Sequence, residues 1–235
     1  ILVKQKTGER AVFFERSTAT EPEFLEAHKQ LIESAYILHI NGRHRKLMHS
    51  AMAVAKEVGT IISLDGGAQR YDEDMKPITE ASHIVIVARD YAEKYTGTTN
   101  LEDACRIIHE RGAFIAGVTD GANGSYFVCP DGTSYRCEPF SQATVVDTTG
   151  AGDSFHGAFL YMLTKTLCKI ADGTNTSTMN ETSQSLNAID LLHSCAHEDL
   201  EKAATFASAV AALNTQGIGG RSPLPSLEDI KALIG

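Results

Sequence analysis

One stretch of the 235-residue chain has residue types and spacing suited to the chemistry of anions. It is Asp147-Thr148-Thr149-Gly150-Ala151-Gly152-Asp153, set directly before an apolar helical pattern with Phe155, Phe159, Met162 and Leu163 on one side. Glycines at 150 and 152 let the backbone approach a ligand closely, and the first amides of the helix behind them are unpaired at the positive end of its dipole. Such a turn is an anion site. Asp153 has two readings: it could cap the helix and do nothing more, or it could act as a base. A carboxylate beside an anion hole repels phosphate unless it has work to do, so the catalytic reading outweighs capping. Competing motifs fail on spacing. The next glycine after Gly152 is Gly157, which breaks the dinucleotide fingerprint, and no Gly-Lys pair exists for a Walker-type loop. Neither His109-Glu110 nor His197-Glu198 is followed by the second histidine of a metalloprotease helix, and both read as ordinary helix surface.

The elements that must position this turn alternate in period. Ile1–Lys4 and Ala11–Phe14 read as strands of a hairpin about Lys6-Thr7-Gly8-Glu9. From Pro22 the pattern is helical, and Tyr36–Ile40 is then a short apolar strand ended by Asn41-Gly42. A helix over Lys46–Val58, a strand Thr60–Leu64 ending at Asp65-Gly66-Gly67, a short helix, a strand His83–Val87, a helix Asn100–Arg111 and a strand Phe114–Thr119 follow. Strands apolar on both faces and alternating with helices predict a doubly wound, mostly parallel α/β sheet with helices on both faces and ligands beyond the strand C-terminal ends. Tyr126–Cys129 and Thr133–Cys137 form a second hairpin about Pro130-Asp131-Gly132. Ala171–Leu186 is rich in Ser, Thr and Asn and reads as a solvated loop inserted between two helices. An Ala-rich helix over Asp199–Leu213 and a short one over Leu227–Ile234 close the chain.

Composition narrows the functions such a site could serve. Against 30 Asp+Glu stand 21 Lys+Arg, a formal charge of −9, and this acidic balance argues against a nucleic-acid or anionic-membrane partner. The five cysteines lack any Cys-x-x-Cys spacing, so neither a disulfide framework nor a zinc knuckle follows. No apolar run approaches the roughly 18 residues of a membrane span, and no signal pattern opens the chain. The expectation is a soluble protein of the reducing cytoplasm.

The heptapeptide Asp147–Asp153 closely resembles the C-terminal signature of the ribokinase-like (PfkB) carbohydrate and nucleoside kinases. His39-Ile40-Asn41-Gly42-Arg43 is similar to a strand end of ketohexokinase-type members, Thr119-Asp120-Gly121-Ala122-Asn123-Gly124-Ser125 to the nucleotide loop, and Phe206–Pro225 to the last helix and cation loop. The resemblance implies an ATP- and magnesium-dependent transfer of phosphate to a sugar-like alcohol. Asp153 would be the base, and the amides of Gly150, Ala151, Gly152 and Asp153 would form the hole for the transferred phosphoryl group. Thr119 and Gly121 would contact nucleotide phosphates, with Gly124 permitting the turn; the alternative is a β-turn that touches nothing. Ser208 would lie near the adenine, or simply pack an Ala-rich helix. Asp147 and Thr149, with backbone carbonyls near Asn214 and Gly219, resemble a site for a monovalent cation such as potassium. Asn41, Arg43 and Asp65 would face the acceptor, although a solvated arginine and a turn-forming aspartate explain the last two equally well.

Two departures from the family matter. Ala88-Arg89-Asp90-Tyr91 stands where many members carry Asn-x-x-Glu to organise magnesium. The family's N-terminal portion, with the glycine pair that grips the sugar, has no counterpart, and residues 1–16 resemble only the second part of the lid, ahead of an α/β domain over 17–235. The chain is therefore expected to be a fragment that regains full activity with the upstream segment, and its lid could pair with that of a second copy as a homodimer. The competing expectation is a truncated, non-catalytic nucleotide-binding or interaction protein of the same fold.

Overall fold

The computed structural model describes the backbone at Leu2, Val3, Arg10 and Ala11, and the chain over 19–140, 145–176 and 187–235. Its main sheet has six strands in the order β3-β4-β5-β6-β7-β8: Ile37–Ile40, Ile61–Gly66, Ile84–Ala88, Ile115–Thr119, Ser125–Val128 and Ser134–Cys137. The first four are parallel, and β7 and β8 add antiparallel to β6. The hairpin expected at the start is present in part, as β1 (Leu2–Val3) paired antiparallel to β2 (Arg10–Ala11). Its turn at 6–9, and the rest of the lid through which a homodimer was expected, lie outside the described residues.

Strand residues divide between two cores, as a sheet covered on both faces requires. Ile61, Ile84, Ile86, Ile115 and Phe127 face α6 (Ala151–Thr176), α7 (Ala188–His193), α8 (His197–Asn214) and α9 (Leu227–Ile234). Their neighbours Ile62, Leu64, Val85, Val87, Ala116 and Val118 face α1 (Glu26–Glu33), α2 (Arg45–Val58), α3 (Lys76–Glu80), α4 (Arg89–Thr96) and α5 (Leu101–Glu110). Ala203, Ala204 and Ala207 of α8 are fully packed against a core shared with Phe155, Phe159, Leu163 and Leu167 of α6. Small side chains there let the two helices lie close, which fixes the start of α6 relative to the end of α8.

Two features differ from the sequence-based expectation. α4 was not expected, because Arg89-Asp90 opens it on a polar note; Tyr91, Ala92 and Tyr95, buried at helical spacing, are what hold it. The loop expected over Ala171–Leu186 is corrected in its first part, since α6 continues to Thr176. Ile170 and Ala171 pack on the core and carry the helix past its apolar pattern, while 177–186 lie outside the described residues. Among the described residues, no helix is long and apolar enough to cross a membrane.

Candidate active site

The C-terminal ends of β3, β4, β5 and β6 share one edge of the sheet, and α6 begins above it. Gly150 turns the chain into α6 with φ +79°, a left-handed conformation that suits glycine. A Cβ there would come 2.5 Å from the Gly220 Cα and 2.9 Å from its carbonyl oxygen. The turn is pinned from below by Asp147, only 3% exposed. Its carboxylate accepts from the Thr149 N–H at 2.8 Å and the Gly219 N–H at 2.9 Å. Asn214 Nδ2 donates to the Thr149 carbonyl at 3.2 Å. Buried oxygens remain unsatisfied beside these bonds, namely Thr149 Oγ1 and Asn214 Oδ1. Oxygen ligands are what a hard monovalent cation takes, so this pair fits one.

Asp153 is not an N-cap. It sits inside the first turn of α6, exposed, two residues past the helix start at Ala151. The Ala151 N–H is directed to the Thr148 carbonyl at 3.3 Å and the Ser154 N–H to the Gly150 carbonyl at 2.8 Å. The Gly152 and Asp153 amides show no partner among the described residues, and a Cβ on Gly152 would meet nothing within 4 Å. The open space and two free donors therefore lie at the positive end of a long helix.

Below Asp153 lies a polar cluster in which Asp65, Asn41 and Arg43 were expected from sequence, whereas His39, His156 and Arg70 were not. Asp65 stands at its centre. This carboxylate, 6% exposed, is 3.2 Å from His156 Nε2 and 3.9 Å from Arg70 Nη1. Burial alone would raise the Asp65 pKa, yet the hydrogen bond and charge of His156, followed by Arg70 and His39, hold it below the ordinary carboxylate value. His39 Nδ1 meets Ser63 Oγ at 3.2 Å, and its ring lies 5.7 Å from that of His156. Desolvation first, then the His156 charge, lowers the His39 pKa against the pull of Asp65 and Asp153. Arg70 Nη1 also donates to the Asn41 carbonyl at 3.4 Å, and Asn41 Oδ1 accepts from the Arg43 N–H at 3.2 Å. The Arg43 side chain points into no ion pair among the described residues. His39 and His156 were missed because single histidines carry no motif. The available signal was spacing: His156 is one turn after Asp153, and His39 is two residues before Asn41.

The Thr119–Gly124 segment lies at the end of β6. Thr119 Oγ1 donates to the Val87 carbonyl at 3.4 Å, and a short 3₁₀ turn over Gly121–Asn123 closes with the Gly124 N–H on the Gly121 carbonyl at 3.1 Å. Gly124, with φ +84°, admits no side chain, since its Cβ would lie 2.4 Å from the Cys137 carbonyl. Beside that carbonyl, Ser208 Oγ on α8 donates to the Glu138 carbonyl at 3.4 Å. Gly124, the Cys137–Glu138 backbone and Ser208 are thus one wall, on the opposite side of the strand-end edge from Asn41 and Asp65.

A family model of the pfkB carbohydrate kinases matches residues 1–227. The chain belongs to the pfkB family of carbohydrate kinases. It is 28% identical to a probable fructokinase-5 of Arabidopsis thaliana over 98% of this chain and 68% of that protein. Among solved structures, ribokinase of Giardia lamblia shares the fold at a TM-score of 0.66 with 17% identity, over 87% of this chain. A fructokinase double mutant of Vibrio cholerae O395, bound to fructose, ADP and potassium ion, does so at 0.63 with 21% identity, over 86% of this chain. The chain spans 61% of the length of each of these two solved kinases.

Proposed function

We propose that this pfkB family member is an ATP-dependent phosphotransferase that moves the γ-phosphate to a hydroxyl of a sugar or sugar-like alcohol. The observation that carries the reading is the first turn of α6, where free amides at Gly152 and Asp153, open space over Gly152 and the exposed Asp153 carboxylate coincide. In this reading Asp153 takes the proton of the acceptor hydroxyl as the oxygen bonds to the γ-phosphorus. The bond to the β,γ-bridging oxygen breaks, and ADP leaves with the electron pair. The amides of Gly150, Gly152 and Asp153 hold the charge on the equatorial oxygens, with a smaller share for the Ala151 N–H, which already has a carbonyl partner. Asn41, Arg43 and Asp65 face the acceptor. Thr119 and Gly121 face the nucleotide phosphates on the tight turn Gly124 allows, and Ser208 lies at the base.

Potassium would be held by Thr149 Oγ1, Asn214 Oδ1 and the loop backbone pinned by Asp147, its charge supporting the anion turn. Among the described residues, no group of three His, Cys, Asp or Glu could hold a metal ion. Magnesium would therefore enter on the nucleotide phosphates, which supply most of its oxygen ligands and whose charge it neutralises. Cytoplasmic placement is supported by five free cysteines, four of them buried.

One observation favours a second reading, a nucleotide-binding protein without transfer. Arg89, at the position of the family's magnesium-organising motif, is already paired to Asp120. The two are separated by incubating the protein with magnesium-ATP and a sugar panel. Sugar phosphate that disappears in D153N supports the kinase; ATP binding with no phosphorylated sugar supports the second.

A further inference from the structure

Strand order puts Arg89 at a junction. It follows β5 directly, and β5 lies between β4, which ends in Asp65 and Gly66, and β6, which ends at Thr119 with Asp120 next in the chain. Ala88 pairs with Thr119 and Val87 with Gly66, so Arg89 lies one residue past the end of β6 and two past the end of β4, on the strand between them. On the proposed function, with which this inference stands or falls, the acceptor lies toward β3 and β4 and the nucleotide phosphates toward β6. Whatever passes between them passes Arg89.

The charge at this edge needs a cation. Asp65, Asp120 and Asp153 would each repel a polyphosphate. Arg70 is committed to Asp65 and the Asn41 carbonyl, and Arg43 follows β3, two strands from β5. Arg89 is itself costly where it stands, since a cation in the first turn of α4 opposes the helix dipole. Its side chain is 42% exposed, and its donors are mostly unspent. One terminal nitrogen contacts the Asp120 carboxylate, the other is 3.9 Å from Glu93, and Nε is buried without a partner. Asp120 also accepts from Asn123 Nδ2 at 2.9 Å, so the carboxylate that aims Arg89 is anchored in the 119–124 turn. An arginine so fixed presents a planar fork suited to phosphate oxygens.

We propose that Arg89 binds the terminal phosphates of the nucleotide donor, supplying positive charge from the protein at the junction of β4, β5 and β6. The alternative, a pin that only holds the Gly121–Asn123 turn, makes a different prediction. Calorimetric titration of the chain with ADP and with AMP, without magnesium, separates them. R89Q should weaken ADP binding at least about tenfold, as the loss of a charge-assisted bond implies, while AMP binding stays within about twofold. R106Q, which removes an exposed arginine paired to Glu102 on α5, should change neither. Equal losses for ADP and AMP, or an unchanged ADP affinity in R89Q, overturn the assignment and leave the nucleotide reading standing. If the unaltered chain binds neither nucleotide, the nucleotide reading falls and this inference with it. Should R89Q fail to fold, the Arg89 Nε–H resonance of the unaltered chain serves instead. It should shift with ADP and hold still with AMP, and the same shift with both contradicts the proposal.

Discussion

Gly150 and Gly152 stand two residues apart and should respond oppositely to a side chain. At Gly150 two costs add. A left-handed φ of +79° costs a non-glycine residue about 1–2 kcal/mol. A Cβ 2.5 Å from the Gly220 Cα forces an overpacking shift of about 1–3 kcal/mol. Little can yield, because both partners are backbone and the loop is tied through the Gly219 N–H to the buried Asp147. Gly150→Ala should therefore lose about 2–5 kcal/mol, a fall in Tm of roughly 5–15 °C for a chain of this size. At Gly152 nothing lies within 4 Å, and the position is helical, where valine costs no more than glycine. Gly152→Val should melt within about 2 °C of the parent yet lose ATP-dependent transfer, since its side chain fills the space in front of the free amides. Circular dichroism melts with a coupled ADP-release assay read both effects. A Gly150→Ala protein that melts like the parent refutes the close-approach argument. A Gly152→Val protein that melts many degrees lower makes Gly152 a structural residue.

Acid should destabilise the fold in two stages. The Ile62 N–H donates to His83 Nδ1 at 2.9 Å, and desolvation, then the His193 charge, lowers the His83 pKa below 6.5. That stabilisation is complete above 6.5 and is lost as pH falls toward the folded value; Asp65, lowered from 3.8, adds a second loss below that. Melts from pH 7.5 to 2.5 should show Tm falling from near pH 6.5 downward and again below pH 3.8, with the first stage flattened in H83Q; an identical slope in H83Q counts against it. Potassium chloride should raise Tm more than choline chloride at equal ionic strength, by mass action on the folded state, and an equal rise in both salts removes the cation site. In Gly124→Ala, the Cβ clash with the Cys137 carbonyl and the positive φ should lower Tm by roughly 5 °C or more, and an unchanged melt would mean the turn can relax.

How much of this was legible follows from what each residue advertises. β4 and β5 declare themselves because Ile61-Ile62 and Ile84–Val87 are apolar on both faces, a pattern that needs cover on both sides. The glycine turn into α6 was readable because its constraint is local: glycines and a helix start sit within one heptapeptide. Strand ends were misplaced by one or two residues, since Asp65 and Gly66 read as turn chemistry yet belong to β4. α4 and the end of α6 were hidden because tertiary burial of Tyr91, Tyr95 and Ile170 outweighs polar local sequence. The Asp65–His156 contact joins residues far apart in the chain, and the Arg89–Asp120 pair depends on β5 and β6 being neighbours. Neither is visible until the strand order is known.

In the proposed reaction Asp153 serves as the base in phosphoryl transfer to a sugar hydroxyl. Its most direct test is ³¹P NMR of sugar phosphate formation from magnesium-ATP, on the protein expressed from its complete reading frame, with D153N measured alongside under the same sugars. The parent should form product and D153N should turn over about two to four orders of magnitude more slowly, with ATP affinity nearly unchanged. Near-parental turnover in D153N, or bound ATP that never yields a phosphorylated sugar in the parent, would contradict it.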